Sequence, residues 1–273
     1  MGNLNKTLKA FSKKHKIIFS VIICTITLII SMLFLWDDKP AMGIDKLIGD
    51  IIITLFCLAV IRVIGIWDGA GFRKSGLGMG LVLGIPFLFI GIGGAIVGNI
   101  GVDFSTLVPK SPTIFIIFTL NMFMVGVKEE ITIRSFVLNN LLGQENPTYQ
   151  GTLKAAFISA AIFGAMHIPN IFFVPLITLV VQVINATAAG VLFAAIFVRC
   201  RNIWSTIIIH MLVDWFALII GQCFIGGSSI IGREMSLSHG CLLTIAGSMP
   251  PLLIAMFLLR RSKISFTDSS SLK

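Results

Sequence analysis

The sequence predicts an all-α fold, a polytopic integral membrane bundle of about eight transmembrane helices. Three observations carry that expectation. Hydrophobic residues make up 56% of the 273 residues and charged residues 12%, against roughly 45–50% and roughly 25% in soluble domains, and the mean hydropathy is +0.98. Apolar runs suited to a hydrocarbon core about 30 Å thick, which takes about 20 residues to cross, recur near 17–36, 47–67, 77–100, 112–128, 155–168, 171–198, 203–224 and 241–259. The net charge of +9 is distributed unevenly between alternate connections. Together these exclude a soluble globular enzyme, a disordered chain and a disulfide-stapled secreted domain.

The charge distribution also sets an orientation. Fourteen basic residues lie in the N-terminal segment, the C-terminal tail and every second connection: Lys6, Lys9, Lys13, Lys14, Lys16, Arg73, Lys74, Lys154, Arg199, Arg201, Arg260, Arg261, Lys263 and Lys273. The opposite connections hold four, Lys39, Lys46, Lys110 and Arg233, and three more (Arg62, Lys128, Arg134) fall within or at the ends of spans. By the positive-inside rule both termini are expected to be cytoplasmic, in a multi-pass protein of a cell membrane. The lipid bilayer is therefore the partner that explains the basic excess. No basic–aromatic patch suggests nucleic acid.

The spans follow in order. The first has a basic start and an apolar run, but the run is too long for a signal peptide. It ends at Trp36-Asp37-Asp38 without a small-residue cleavage site, so it reads as an uncleaved span. Lys6 stands where an N-myristoylation signal needs Ser or Thr. The second span holds Asp50 and Arg62, which either line a vestibule or sit near its ends, and the second reading is preferred for both. The third carries Gly76, Gly80 and Gly84, then Gly94 and Gly98, a spacing that lets helices approach closely in lipid. Residues 1–111 thus form a generic membrane segment of about three spans. Further on, the fifth span is short and the sixth is expected to kink at Pro175. Residues 225–273 supply the last outer loop, the final span and a cytoplasmic tail, whose Ser269, Ser270 and Ser271 suggest disorder. The five cysteines are scattered, with no CxxC motif, and read as packing residues.

The stretch 112–224 differs, because its spans contain ionisable groups. Each costs at least ~2.5–3.5 kcal/mol at mid-bilayer on insertion scales, so a cluster marks function. In Lys128-Glu129-Glu130-Ile131-Thr132-Ile133-Arg134, Glu130 and Arg134 are spaced to pair on one helix face. Glu129 points about 100° away, towards another partner. Phe163-Gly164-Ala165-Met166-His167 puts a histidine at the end of an apolar run, and His210-Met211-Leu212-Val213-Asp214 places His and Asp on one face. If the helix of Glu129 ends near Leu142 and the next starts near Lys154, Glu129 and His167 both lie about 20 Å from the turn at 1.5 Å per residue. His210, about 12 Å beyond Asn202 by the same rise, joins them through helix tilt. Glu129, His167, His210 and Asp214 form a set that can activate water. A carboxylate or imidazole takes the proton, or a metal lowers the water's pKa. A second His and an Asp then stabilise an oxyanion or complete a metal shell. There is no GxSxG and no HExxH motif to compete.

These three motifs, in this order on successive spans, resemble the CAAX protease and bacteriocin-processing (CPBP, Abi) family of intramembrane proteases, over roughly residues 112–224. The resemblance implies peptide-bond hydrolysis in a chamber open towards the cytosol. Glu129 would be the general base, assisted by His167, and His210 and Asp214 the oxyanion site or metal shell. Glu130, Arg134 and Phe163 would support them. Zinc on Glu129, His167, His210 and Asp214, and a metal-free Glu/His pair, both remain open. The prenyl-protein endopeptidases carry Asn where this chain has Asp214. An ionised Asp only accepts hydrogen bonds, which weakens the oxyanion role and strengthens a metal-ligand role. The implied substrate is a peptide or membrane protein that is not prenylated. The alternatives are a non-catalytic scaffold or bacteriocin self-immunity protein of the same fold, and a small transporter or proton relay, which lacks a detectable inverted repeat.

Overall fold

The computed structural model describes residues 2–35, 43–143, 148–229 and 234–263. Trp36-Asp37-Asp38, Lys39, Arg233, Lys273 and the serine-rich tail lie outside the described residues. Helix α1 (Gly2–Lys14) precedes the membrane-length helices α2 (Lys16–Leu35), α3 (Ile44–Ile64) and α4 (Leu77–Gly98). Helix α5 (Pro112–Glu130) runs without a break through a π-helical stretch, Ile131–Leu138, into the short α6 (Asn139–Leu142). Then come α7 (Tyr149–Ala165), α8 (Leu176–Cys200), α9 (Ile203–Cys223) and α10 (Leu237–Leu258). Two two-residue strands, β1 (Val108–Pro109) and β2 (Phe224–Ile225), pair antiparallel.

Seven helices are long and apolar enough to cross a membrane. The eighth expected crossing is the continuous 112–142 rod. It is about 46 Å long at 1.5 Å per residue but carries Lys128, Glu129, Glu130 and Arg134 in its second half. Its charges, not its length, set it apart. Two local expectations change. Pro175 does not kink a span. It is the N-cap of α8, where its missing N–H costs nothing. The fifth span, α7, begins at Tyr149 and stops at Ala165, and a 3-10 turn (Ile168–Phe172) follows it. The α1 segment, read only as a basic start, is helical and lies beside the end of α3, with the Lys9 ammonium against Gly65.

The connections fall on two faces. One face joins the described termini with the α3–α4, α6–α7 and α8–α9 links. There Lys16 Nζ donates to Leu141 O (3.3 Å), Asn202 bonds the carbonyls of Arg73 and Ser75, and Asn139 Nδ2 donates to Ile66 O at 2.7 Å. We refer to it as the terminal face. The far face carries the α2–α3, α4–α5, α7–α8 and α9–α10 links. There β1 pairs with β2, Asn121 bonds Gly43 O and the Ser228 N–H donates to the Asn99 side chain.

Close backbone approach locks α4 onto α9. A Cβ at Gly84 would sit 2.4 Å from the Ile209 side chain, and one at Gly91 2.5 Å from the Val213 carbonyl oxygen. Gly80 faces Ser205 in the same way, so the glycine spacing does serve packing. Gly94 is less critical, since a methyl there would meet Ala217 at an ordinary 3.6 Å. The core lies between Glu129 and the terminal face. Ile133, Phe136, Val137, Leu138, Ile61 and Phe197 are each at most 1% exposed. This packed layer is the floor on which the polar groups rest.

Candidate active site

The site is built around the junction where α5 passes into the π-helical stretch. π-Helical turns are rare and recur at functional sites. Glu130, the last residue before it, and Arg134 within it are both fully buried, and Arg134 Nη1 lies 3.0 Å from Glu130 Oε1. The guanidinium sits between the rings of Phe163 (4.8 Å) and Phe193 (5.0 Å), and its Nη2 donates to Gly190 O at 3.4 Å. Aromatic faces suit a cation deprived of water. The pairing expected from the four-residue spacing is therefore present, and Phe163 packs against the same guanidinium.

Glu130 also fixes His210. The Nδ1 of His210 is 2.8 Å from Glu130 Oε1. An ionised carboxylate only accepts, so Nδ1 carries the proton and donates it. The Phe193 ring stacks on the imidazole at 5.0 Å and 20°. Nε2 is thereby aimed between two further carboxylates, 3.6 Å from Glu129 Oε2 and 3.5 Å from Asp214 Oδ2. His210 does reach Glu129, and Asp214 shares its face.

Glu129 is the less enclosed of the two glutamates. Its side chain is 19% exposed, against none for Glu130. It lines a cavity of about 140 Å³ together with Lys128, Thr132, Phe163, His167 and residues of α2. The matching height of Glu129 and His167 is therefore realised. His167 follows the last residue of α7, and its Nδ1 donates to Phe163 O at 3.0 Å, since a carbonyl can only accept. The Nε2 of neutral His167 is left with a lone pair for chemistry.

Two polar residues, Asp50 and Lys46, belong to this cluster although the sequence reading placed them elsewhere, and Lys128, which opens the first motif, joins them to it. Asp50, read as a residue near a span end, is 2% exposed. Its carboxylate bridges Lys46 Nζ at 2.6 Å and Lys128 Nζ at 3.0 Å. Lys128 in turn reaches Glu129 Oε1 at 3.6 Å. A chain of alternating charge thus runs from Lys46 through Asp50 and Lys128 to Glu129, then to His210 and Glu130. The i,i+4 spacing of Lys46 and Asp50 was the available signal, because it places both on one face of α3. The stacking of Phe193 on His210 had no sequence signal. Arg62 stays apart, packed 3.5 Å over the Trp67 ring.

The suitability for a metal divides between chemistry and arrangement. Two imidazoles and two carboxylates are donor types that zinc takes. Yet among the described residues no three His, Cys, Asp or Glu side chains converge to hold an ion. His210 Nδ1 is engaged by Glu130, and the Lys128 ammonium stands beside the carboxylate that would bind it. The residues as arranged do not fit a zinc shell, and no step is routed through one.

Residues 111–216 match the family model described as type II CAAX prenyl endopeptidase Rce1-like. Every motif residue from Glu129 to Asp214 lies inside the matched segment. No curated protein and no solved structure is matched by the chain.

Proposed function

From the match of residues 111–216 to the type II CAAX prenyl endopeptidase family model we propose that the chain is an intramembrane endopeptidase of the CAAX protease (CPBP) family, acting on a peptide or membrane-protein substrate by a water that Glu129 and His167 activate. The observation that carries this reading is the division of labour between adjacent glutamates. Glu130 is buried and spoken for by Arg134 and His210. Glu129 lines the cavity beside His167.

Glu129 takes a proton from water, and the hydroxide oxygen forms a bond to the scissile carbonyl carbon. The carbonyl π pair moves onto oxygen. A proton on His210 Nε2, with Nδ1 anchored, is placed to donate to that oxyanion. Asp214, which only accepts when ionised, supports the protonated imidazole instead of the oxyanion. Collapse of the intermediate breaks the C–N bond, and the proton held by Glu129 passes to the leaving amine, with His167 Nε2 as its relay.

The test is hydrolysis of an internally quenched peptide library by detergent-purified protein. Glu129→Gln and His167→Ala are expected to abolish cleavage while both variants insert and purify as the parent does. Full cleavage in both would overturn the proposal and favour a non-catalytic scaffold.

A further inference from the structure

We infer that the cavity opens on the non-cytoplasmic side of the membrane, so that its substrate is a peptide segment presented at the outer membrane–water boundary. The identification of the substrate rests on the protease reading. The direction of opening does not.

Depth is the first argument. The α2 residues that line the cavity, Thr27 to Met32, lie three to eight residues from Leu35, about 5–12 Å below the far face. Asp50 is six residues from Ile44, about 9 Å by the same rise. His167, Pro169 and Asn170 belong to the α7–α8 connection itself. Towards the terminal face, Glu129 is thirteen residues from Leu142, about 20 Å. All eight residues of the π-helical stretch in between are buried. A substrate has no path through that layer.

The rim is the second argument. Ile168, Ile171, Phe172, Phe173 and Leu176 are each at least 50% exposed and form an apolar lip where α7 ends. Opposite it α5 continues for seventeen residues above Glu129, about 26 Å, to Pro112. A cleft with one tall helical wall and one low apolar lip suits an extended peptide lying half in lipid.

Charge decides which face is which. Of the basic residues the structure describes, thirteen lie at the terminal face and two, Lys46 and Lys110, at the far face, and Lys46 is ion-paired within the site. The positive-inside rule makes the terminal face cytoplasmic. The cytosolic opening implied by the family resemblance and the cytoplasmic termini implied by the charges are incompatible in this chain, because cavity and termini occupy opposite faces.

Cysteine accessibility in intact cells tests the direction without using activity. In the full chain carrying Cys241→Ser, single cysteines at Phe172 and Asn170 are expected to react with a membrane-impermeant maleimide to the same extent before and after lysis. Lys154→Cys is expected to react only after lysis. The reverse pattern would overturn the outward opening and leave the protease reading intact. If Phe172→Cys fails to insert, Ile168→Cys replaces it. Peptide cleavage is then measured with right-side-out and inside-out vesicles, using Glu129→Gln as the blank. Glu129-dependent cleavage in right-side-out vesicles supports the substrate assignment. Cleavage only in inside-out vesicles overturns it. Outward labelling without Glu129-dependent cleavage from either side overturns the protease reading alone.

Discussion

Replacing Glu130 by Met removes one half of an ion pair whose side chains have no exposure to solvent. The Arg134 guanidinium would then be a buried cation held only by Gly190 O and two aromatic faces. Its Nε and Nη1 have no hydrogen-bond partner even in the parent, so the Glu130 charge is its main compensation. Breaking such a pair costs about 3–5 kcal/mol, about a fifth or more of the ~5–15 kcal/mol that stabilises a typical domain. The assay is thermal unfolding of detergent-purified protein followed by circular dichroism, with peptide cleavage measured in parallel. Glu130→Met is expected to unfold at clearly lower temperature and to be inactive. Adding Arg134→Met removes the orphaned charge and fills the space with a flexible apolar chain, so most of the lost stability returns. Activity stays absent, because His210 Nδ1 still lacks the carboxylate that orients it. A single variant as stable as the parent, or a double variant no better than the single, would refute the reasoning.

Three further outcomes follow from the same geometry. Asp50→Asn leaves Lys46 and Lys128 without their shared carboxylate, so Lys128 competes with water for Glu129. Peptide turnover is expected to fall about tenfold, equivalent to ~1.4 kcal/mol, and turnover equal to the parent's would remove Asp50 from the site. Gly91→Ala puts a methyl 2.5 Å from the Val213 carbonyl oxygen, a backbone atom that cannot rotate away. We expect a stability loss of about 1–3 kcal/mol in thermal unfolding, with reduced cleavage as α9 shifts His210 and Asp214. Because His210 Nδ1 is engaged by Glu130 and Lys128 stands beside Glu129, and no metal-holding group of three His, Cys, Asp or Glu occurs among the described residues, cleavage by purified protein is expected to survive chelator treatment. Loss on chelation with recovery on added zinc would show that Glu129, His167, His210 and Asp214 rearrange around an ion.

Some of the site was readable from local spacing alone. Glu130 and Arg134, like His210 and Asp214, are four residues apart on their own helices, and helical periodicity places each pair on one face whatever the rest of the chain does. The equal distances of Glu129 and His167 from one turn predicted their common height for the same reason. Asp50 shares that four-residue spacing with Lys46, but the spacing does not tie the pair to the site. The importance of Asp50 comes from Lys128, seventy-eight residues later, and nothing in the α3 sequence shows that α5 packs there. The same holds for Phe193, whose ring covers His210 from a helix that carries none of the motifs.

The sequence by itself determined that this is a helical membrane protein, because apolar runs of span length have no other stable home. It also determined which spans carry ionisable groups, whose cost in lipid marks them as candidates for chemistry. The tertiary structure decided which glutamate lines the cavity and which is fully buried, because burial depends on what neighbouring helices place around each side chain. It also decided on which face the cavity lies. Helix α7 stops at Ala165 while α5 and α9 continue past Glu129 and His210 towards the far face, and only their packing side by side turns that difference in length into an opening.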